Sequence, residues 1–158
     1  MLIRSHSVEA TETLGRLLSA CLRPGNVLAF HGDLGAGKTV LSRGLARGLG
    51  VTEAVTSPTF TIVQEYPLPD GLFLYHLDMY RIPDDQSAIA FGIDEFLFNK
   101  HAYTLVEWPL RIPGLLGDKA FNLTLSHLDE NTREIDIPAP LADNLQTALF
   151  PPELQIIK

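Results

Sequence analysis

Apolar positions along this chain change period several times, and each change marks an element. Between residues 7 and 23, Leu14, Leu17, Leu18, Cys21 and Leu22 form the stripe of an amphipathic helix, and Pro24-Gly25 ends it. Asn26 to Phe30 (N-V-L-A-F) is a short unbroken apolar run, the pattern of a buried strand. Val40, Leu41, Leu45 and Leu49 return to near-helical spacing, and Gly50 supplies a stop. Thr56 to Tyr66 begins rich in hydroxyls and becomes β-branched, which predicts a loop and then a strand of about six residues. Pro69-Asp70-Gly71 is a turn signal, and Leu72 to Leu77 is another apolar strand. Pro83-Asp84-Asp85 opens a mostly helical region through about Asn99. There Ile89, Phe91, Ile93, Phe96, Leu97 and Phe98 are expected to pack. Tyr103 to Val106 is a further core strand.

The last third alternates. Ala120 to Leu128 and Arg133 to Ile137 read apolar-polar about the turn Asp129-Glu130-Asn131-Thr132, a hairpin with one packed face. Residues 139–158 are expected to form a short helix and a Pro-rich peripheral tail. No repeat or linker divides the chain, so the expectation is one α/β domain over residues 1–158. Its architecture is a mainly parallel sheet with flanking helices and an antiparallel C-terminal hairpin.

Between the first apolar strand and the helix that follows it lies Gly32-Asp33-Leu34-Gly35-Ala36-Gly37-Lys38-Thr39, a complete G-x-x-x-x-G-K-[ST] loop. Strand, glycine turn and helix start come in the order that phosphate binding needs, the order of a P-loop NTPase fold. Glycines let backbone N–H groups curl around phosphate oxygens, and the helix N-terminus adds its positive dipole end. Lys38 is placed to reach the β- and γ-phosphates, and the Thr39 hydroxyl to take a position on Mg²⁺. A nucleoside triphosphate is the expected ligand.

Charge narrows the partners. The net charge is −7 and only four residues are lysine, which argues against a large direct nucleic-acid footprint. Any link to nucleic acid is expected to run through a partner protein. One cysteine, Cys21, makes no internal disulfide and fits a reducing cytoplasm, where it reads as a small core residue. The N-terminus M-L-I-R-S-H-S is not a signal peptide and nothing approaches a membrane span, so a cytoplasmic location with no membrane partner is expected.

Two carboxylates stand at the ends of predicted core strands, Asp78 after L-F-L-Y-H-L and Glu107 after Y-T-L-V. Parallel strands leaving the sheet at the edge of the phosphate loop would bring both near the γ-phosphate; capping the next loop is the plainer alternative for each. Thr59 reads either as a nucleotide-sensing threonine or as a turn residue after Pro58, and Trp108 as core or ligand contact. His31, His76 and His101 lack a metal-ligand spacing and read as structural or surface residues.

In combination, G-D-L-G-A-G-K-T, S-P-T-F-T-I-V-Q-E-Y, Y-H-L-D-M-Y-R and L-V-E-W-P occur in an order that resembles the bacterial TsaE (YjeE) family, over roughly residues 7–137. The resemblance implies an ATPase required for threonylcarbamoyladenosine formation at position 37 of tRNAs that read codons beginning with A. It would act with TsaD, which transfers the threonylcarbamoyl group, and with TsaB. By motif, Leu34, Gly35, Ala36, Gly37, Lys38 and Thr39 would hold the phosphates of ATP, while Thr39 and Glu107 would ligate Mg²⁺. Asp78 resembles the family's essential aspartate, acting on the metal's water shell or the attacking water, so Lys38, Asp78 and Glu107 form the expected catalytic set. Thr11 and Arg133 match family positions near the adenine end. Two places depart or give no match: Val40 stands where a second Thr is frequent, and the tail after Pro138 carries no matching motif.

A small-molecule kinase shares the loop and the size but usually needs an arginine-bearing lid, and no Arg-rich segment stands out here. A GTP-dependent switch commonly carries N-K-x-D, and Asn99-Lys100-His101-Ala102 lacks the Asp.

Overall fold

The computed structural model describes residues 1–158. Eight strands form one sheet in the order β3-β4-β5-β2-β6-β7-β1-β8. They are β1 (Leu2–Ser5), β2 (Val27–His31), β3 (Val63–Pro67), β4 (Phe73–Asp78), β5 (Ala102–Glu107), β6 (Phe121–His127), β7 (Arg133–Asp136) and β8 (Leu154–Ile156). The central four, β4-β5-β2-β6, pair in parallel, and antiparallel pairings complete both flanks.

The helices are α1 (Val8–Ser19), α2 (Lys38–Leu49), α3 (Asp85–Phe91), α4 (Pro113–Leu116) and α5 (Ala139–Ala142). None is long and apolar enough to cross a membrane. β2 is apolar on both faces because both are covered. Leu28 and Phe30 join the main core on the α1/α2 side, while Val27 and Ala29 join a smaller cluster with Ile93, Leu97 and Ile112 on the other. β6 alternates because only one of its faces is covered: Leu123 and Leu125 are buried while Asn122 and Thr124 are not.

α1 and α2 touch backbone to backbone. A Cβ on Gly44 of α2 would collide with the carbonyl of Glu12 on α1, and one on Gly15 of α1 with the carbonyl of Leu41. Only glycine permits that approach. α1 buries a stripe that includes Ala10, Leu14 and Leu18 and is closed at its start by the Ser7 side chain accepting from Ala10 N–H at 3.0 Å.

Two expectations are corrected. The helical region after Pro83 is shorter than its apolar content suggests, because Gly92 takes a left-handed conformation and ends α3 after seven residues. Ile93 and Leu97 are buried as expected, yet Ile89 and Phe91 stand about half exposed at the rim. The 56–66 segment is a loop and then a strand, as expected, with β3 starting at Val63 and lying antiparallel on β4. The C-terminal residues add Leu141, Leu145 and Leu154 to the main core and pair β8 with β1.

Candidate active site

β2, β4 and β5 are parallel, so the phosphate loop after β2 and the carboxylates ending β4 and β5 emerge at one edge of the sheet. Asp78 and Glu107 are direct partners in the β4–β5 register. A cleft of about 370 Å³ opens there, with Lys38, Thr39, Asp78 and Glu107 among its lining. Leu34, Gly35, Gly37 and Arg133 line it as well. Ala36 is fully buried behind the loop, and Thr11 sits in an adjoining hollow of about 40 Å³ shared with Gly37, Val40 and Arg133.

The phosphate side is built from backbone. Gly37, the residue before α2, has φ 99°, a left-handed conformation that a side chain would strain. No side chain caps α2, so its first N–H groups point free into the cleft. Lys38 Nζ donates to the Gly32 carbonyl at 2.7 Å and lies 5.1 Å from the centre of the Trp108 ring. Trp108 therefore lines the cleft while also packing against the smaller core cluster. Its φ of 56° is rare for a bulky residue, and its ring packs on Tyr80 at 5.1 Å.

The carboxylate side is built from side chains that satisfy one another. Asp78 is 2% exposed; its Oδ1 accepts from Tyr80 N–H at 2.9 Å and its Oδ2 from the Thr59 hydroxyl at 3.1 Å. Glu107 is 4% exposed, and its Oε2 accepts from the Ser57 hydroxyl at 3.1 Å. The two hydroxyls lie 3.2 Å apart, side by side, each with its proton committed to a carboxylate. Behind it, Ile62 donates its N–H to the Pro58 carbonyl and accepts from Asp78 N–H, both at 2.8 Å, with a left-handed φ of 68°. Left-handed backbone is costly for a β-branched residue, so the 58–62 turn holds the hydroxyls in place under strain.

Burial would raise the Glu107 carboxyl, but His76, the Ser57 hydroxyl and Lys38 outweigh it and hold it below the usual glutamate range. Glu107 is therefore ionised at neutral pH. Hydroxyl and carboxylate oxygens, Thr39 with Asp78 and Glu107, are hard donors that suit Mg²⁺. No three His, Cys, Asp or Glu side chains converge on a metal site, so such an ion would take the rest of its shell from phosphate and water.

On the far side, the Thr11 hydroxyl lies 2.8 Å from Ser5 Oγ and donates to the Ser7 carbonyl at 3.2 Å. Arg133 Nη1 donates to the carbonyls of Asp129, Glu130 and Thr132, tying down the β6–β7 turn while its stem passes over Gly37. The sequence placed Ser57 at the start of a segment, Ser57 to Tyr66, that resembles the family's switch-like segment, but assigned no individual site role to Ser57, Tyr80 or His76. The hydroxyls flanking Pro58 in Ser57-Pro58-Thr59 were the available signal for the first.

Residues 5–135 match the model of the family described as "Threonylcarbamoyl adenosine biosynthesis protein TsaE". The tRNA threonylcarbamoyladenosine biosynthesis protein TsaE of Bacillus subtilis (strain 168) is 40% identical over 137 residues, covering 86% of this chain and 84% of that protein. The protein of the same description from Streptomyces coelicolor is 56% identical over 141 residues, 78% of this chain and 95% of its own. The crystal structure of Bacillus subtilis YdiB matches with a TM-score of 0.72 at 34% identity, covering 91% of this chain and 90% of that one.

Proposed function

The chain belongs to the TsaE family, and from that premise we propose that it is a Mg²⁺-dependent ATPase serving threonylcarbamoyladenosine formation at position 37 of tRNA. All of residues 1–158 act as one domain, in the cytoplasm, with TsaD and TsaB as partners. The observation that carries the reading is the single cleft in which an uncapped helix start and Lys38 face Asp78 and Glu107.

Free N–H groups of the first turn of α2 receive phosphate oxygens. Lys38 exchanges the Gly32 carbonyl for the β- and γ-phosphates, and Trp108 keeps its ammonium on the cleft side. Thr39 and Glu107 hold Mg²⁺, which when bound neutralises charge developing on the phosphates. Asp78, already fixed by Tyr80 N–H, orients water at the γ-phosphate end. Thr11, Val40 and the Arg133 stem border the hollow beyond Gly37, where the adenine lies. With a net charge of −7, tRNA is reached through the partners.

The test is ATP turnover by the chain alone and with purified TsaB and TsaD. Stimulation by the pair, abolished in Lys38→Ala, is the expected outcome. Equal turnover with and without them would remove the partner assignment, and no Mg²⁺-dependent turnover in either case would remove the ATPase.

A further inference from the structure

β4 carries a histidine for which the nucleotide reading has no use. Strand alternation puts His76 on the face of Leu74, toward the main core, and it is 0% exposed. Neither Nδ1 nor Nε2 has a hydrogen-bond partner. A buried imidazole with two unmatched nitrogens costs stability, and an apolar side chain of similar size would avoid that cost. Its Nε2 lies 3.7 Å from Glu107 Oε1, diagonally across the β4–β5 pair and just beyond hydrogen-bond range. Glu107 is thus bracketed: Ser57 holds Oε2, and His76 stands off Oε1.

We propose that His76 is a positioning residue for Glu107: its Nε2–H takes Oε1 as the carboxylate turns from Ser57 toward the cleft, leaving Oε2 to face the cation. The proposal rests on the reading of the cleft as a Mg²⁺–ATP site. Turning a terminal carboxylate is a soft motion, and closing the gap needs less than about 1 Å. The hydrogen bond lost to Ser57 is then replaced on the opposite oxygen, so Glu107 never faces the core unpartnered. Imidazole is suited to this position because a ring N–H can donate to Oε1 from within the apolar layer of Leu74 and Leu105. Partners that orient a metal-binding group change metal affinity by roughly 10–100-fold when removed.

The experiment compares wild type with His76→Leu and His76→Gln, whose amide nitrogen matches the reach of Nε2. Trp108, the only tryptophan, reports ATP binding by fluorescence across a Mg²⁺ titration. His76→Leu is expected to need about tenfold more Mg²⁺, with Mg²⁺-free ATP binding unchanged, and His76→Gln to recover most of the difference. An unchanged Mg²⁺ midpoint in a folded His76→Leu protein overturns the proposal. So does a change in melting temperature alone, the mark of a purely structural role. Should His76→Leu not fold, ¹⁵N NMR of the wild-type imidazole decides. Addition of Mg²⁺ and a non-hydrolysable ATP analogue should shift a protonated Nε2 into a hydrogen bond, and an unmoved signal overturns the proposal. Absence of Mg²⁺-dependent ATP binding in wild type would instead sink the reading of the cleft itself.

Discussion

The two walls of the cleft are built on opposite plans. On the phosphate side, α2 begins at Gly37 with no side-chain cap, whereas α1 and α3 are capped by Ser7 and Asp84. Its donors are left open, and an anion can occupy them without displacing anything but water. On the carboxylate side Asp78 is already matched on both oxygens and Glu107 on one. A ligand there must trade with Ser57 and Thr59. On the proposed function, one wall supplies affinity and the other sets when turnover occurs.

Removing the open wall's cation should have the largest effect. Lys38→Ala is expected to lower turnover by about 10³-fold or more and to weaken ATP binding as well, as steady-state kinetics and calorimetric titration would report. Wild-type affinity in that variant would dissolve the contrast. Next, Glu107→Gln and Asp78→Asn should each lower turnover by about 10²-fold while Mg²⁺-free ATP affinity stays within a few-fold. Loss of affinity equal to that of Lys38→Ala would mean that both walls bind. Ser57→Ala releases Glu107 Oε2 and should lower the Mg²⁺ midpoint by up to about fivefold, the worth of roughly 1 kcal/mol. Its sign is opposite to that expected of His76→Leu, so a rise would show Ser57 to be an ally of the cation, not its competitor.

The smallest effect concerns pH. Glu107 has its folded pKa below the ordinary value of 4.5, so its ionised contacts add stability above that value. That contribution is lost as pH falls through the lowered folded pKa. The melting-temperature difference between wild type and Glu107→Gln should therefore shrink on acidification below about 4.5. A difference constant with pH would show that the buried carboxylate gains nothing from its surroundings.

Elements that announce themselves locally were legible in the sequence. The phosphate loop is an eight-residue pattern, and Asp78 and Glu107 end apolar runs, so their shared edge followed from parallel pairing alone. β1 and β8 were not legible, because four and three residues carry little period and their pairing joins opposite ends of the chain. Ile89 and Phe91 misled because apolar content does not reveal that Gly92 cuts α3 short. His76 looked structural because a lone histidine in an apolar strand usually is. Its meaning depends on Glu107, which lies on another strand.

The glycine seam between α1 and α2 limits how the cleft can move. With Gly44 set against the Glu12 backbone, the two helices interlock too closely for one to slide along the other without a clash. The interlocked pair carries Lys38 and Thr39 at one point and Thr11 at another. The grip on the phosphates and the border of the base hollow therefore share a single set of coordinates. Across the cleft from them stands the strained turn ending at Ile62. A cycle of nucleotide states would be expressed as displacement of that turn against a fixed anvil.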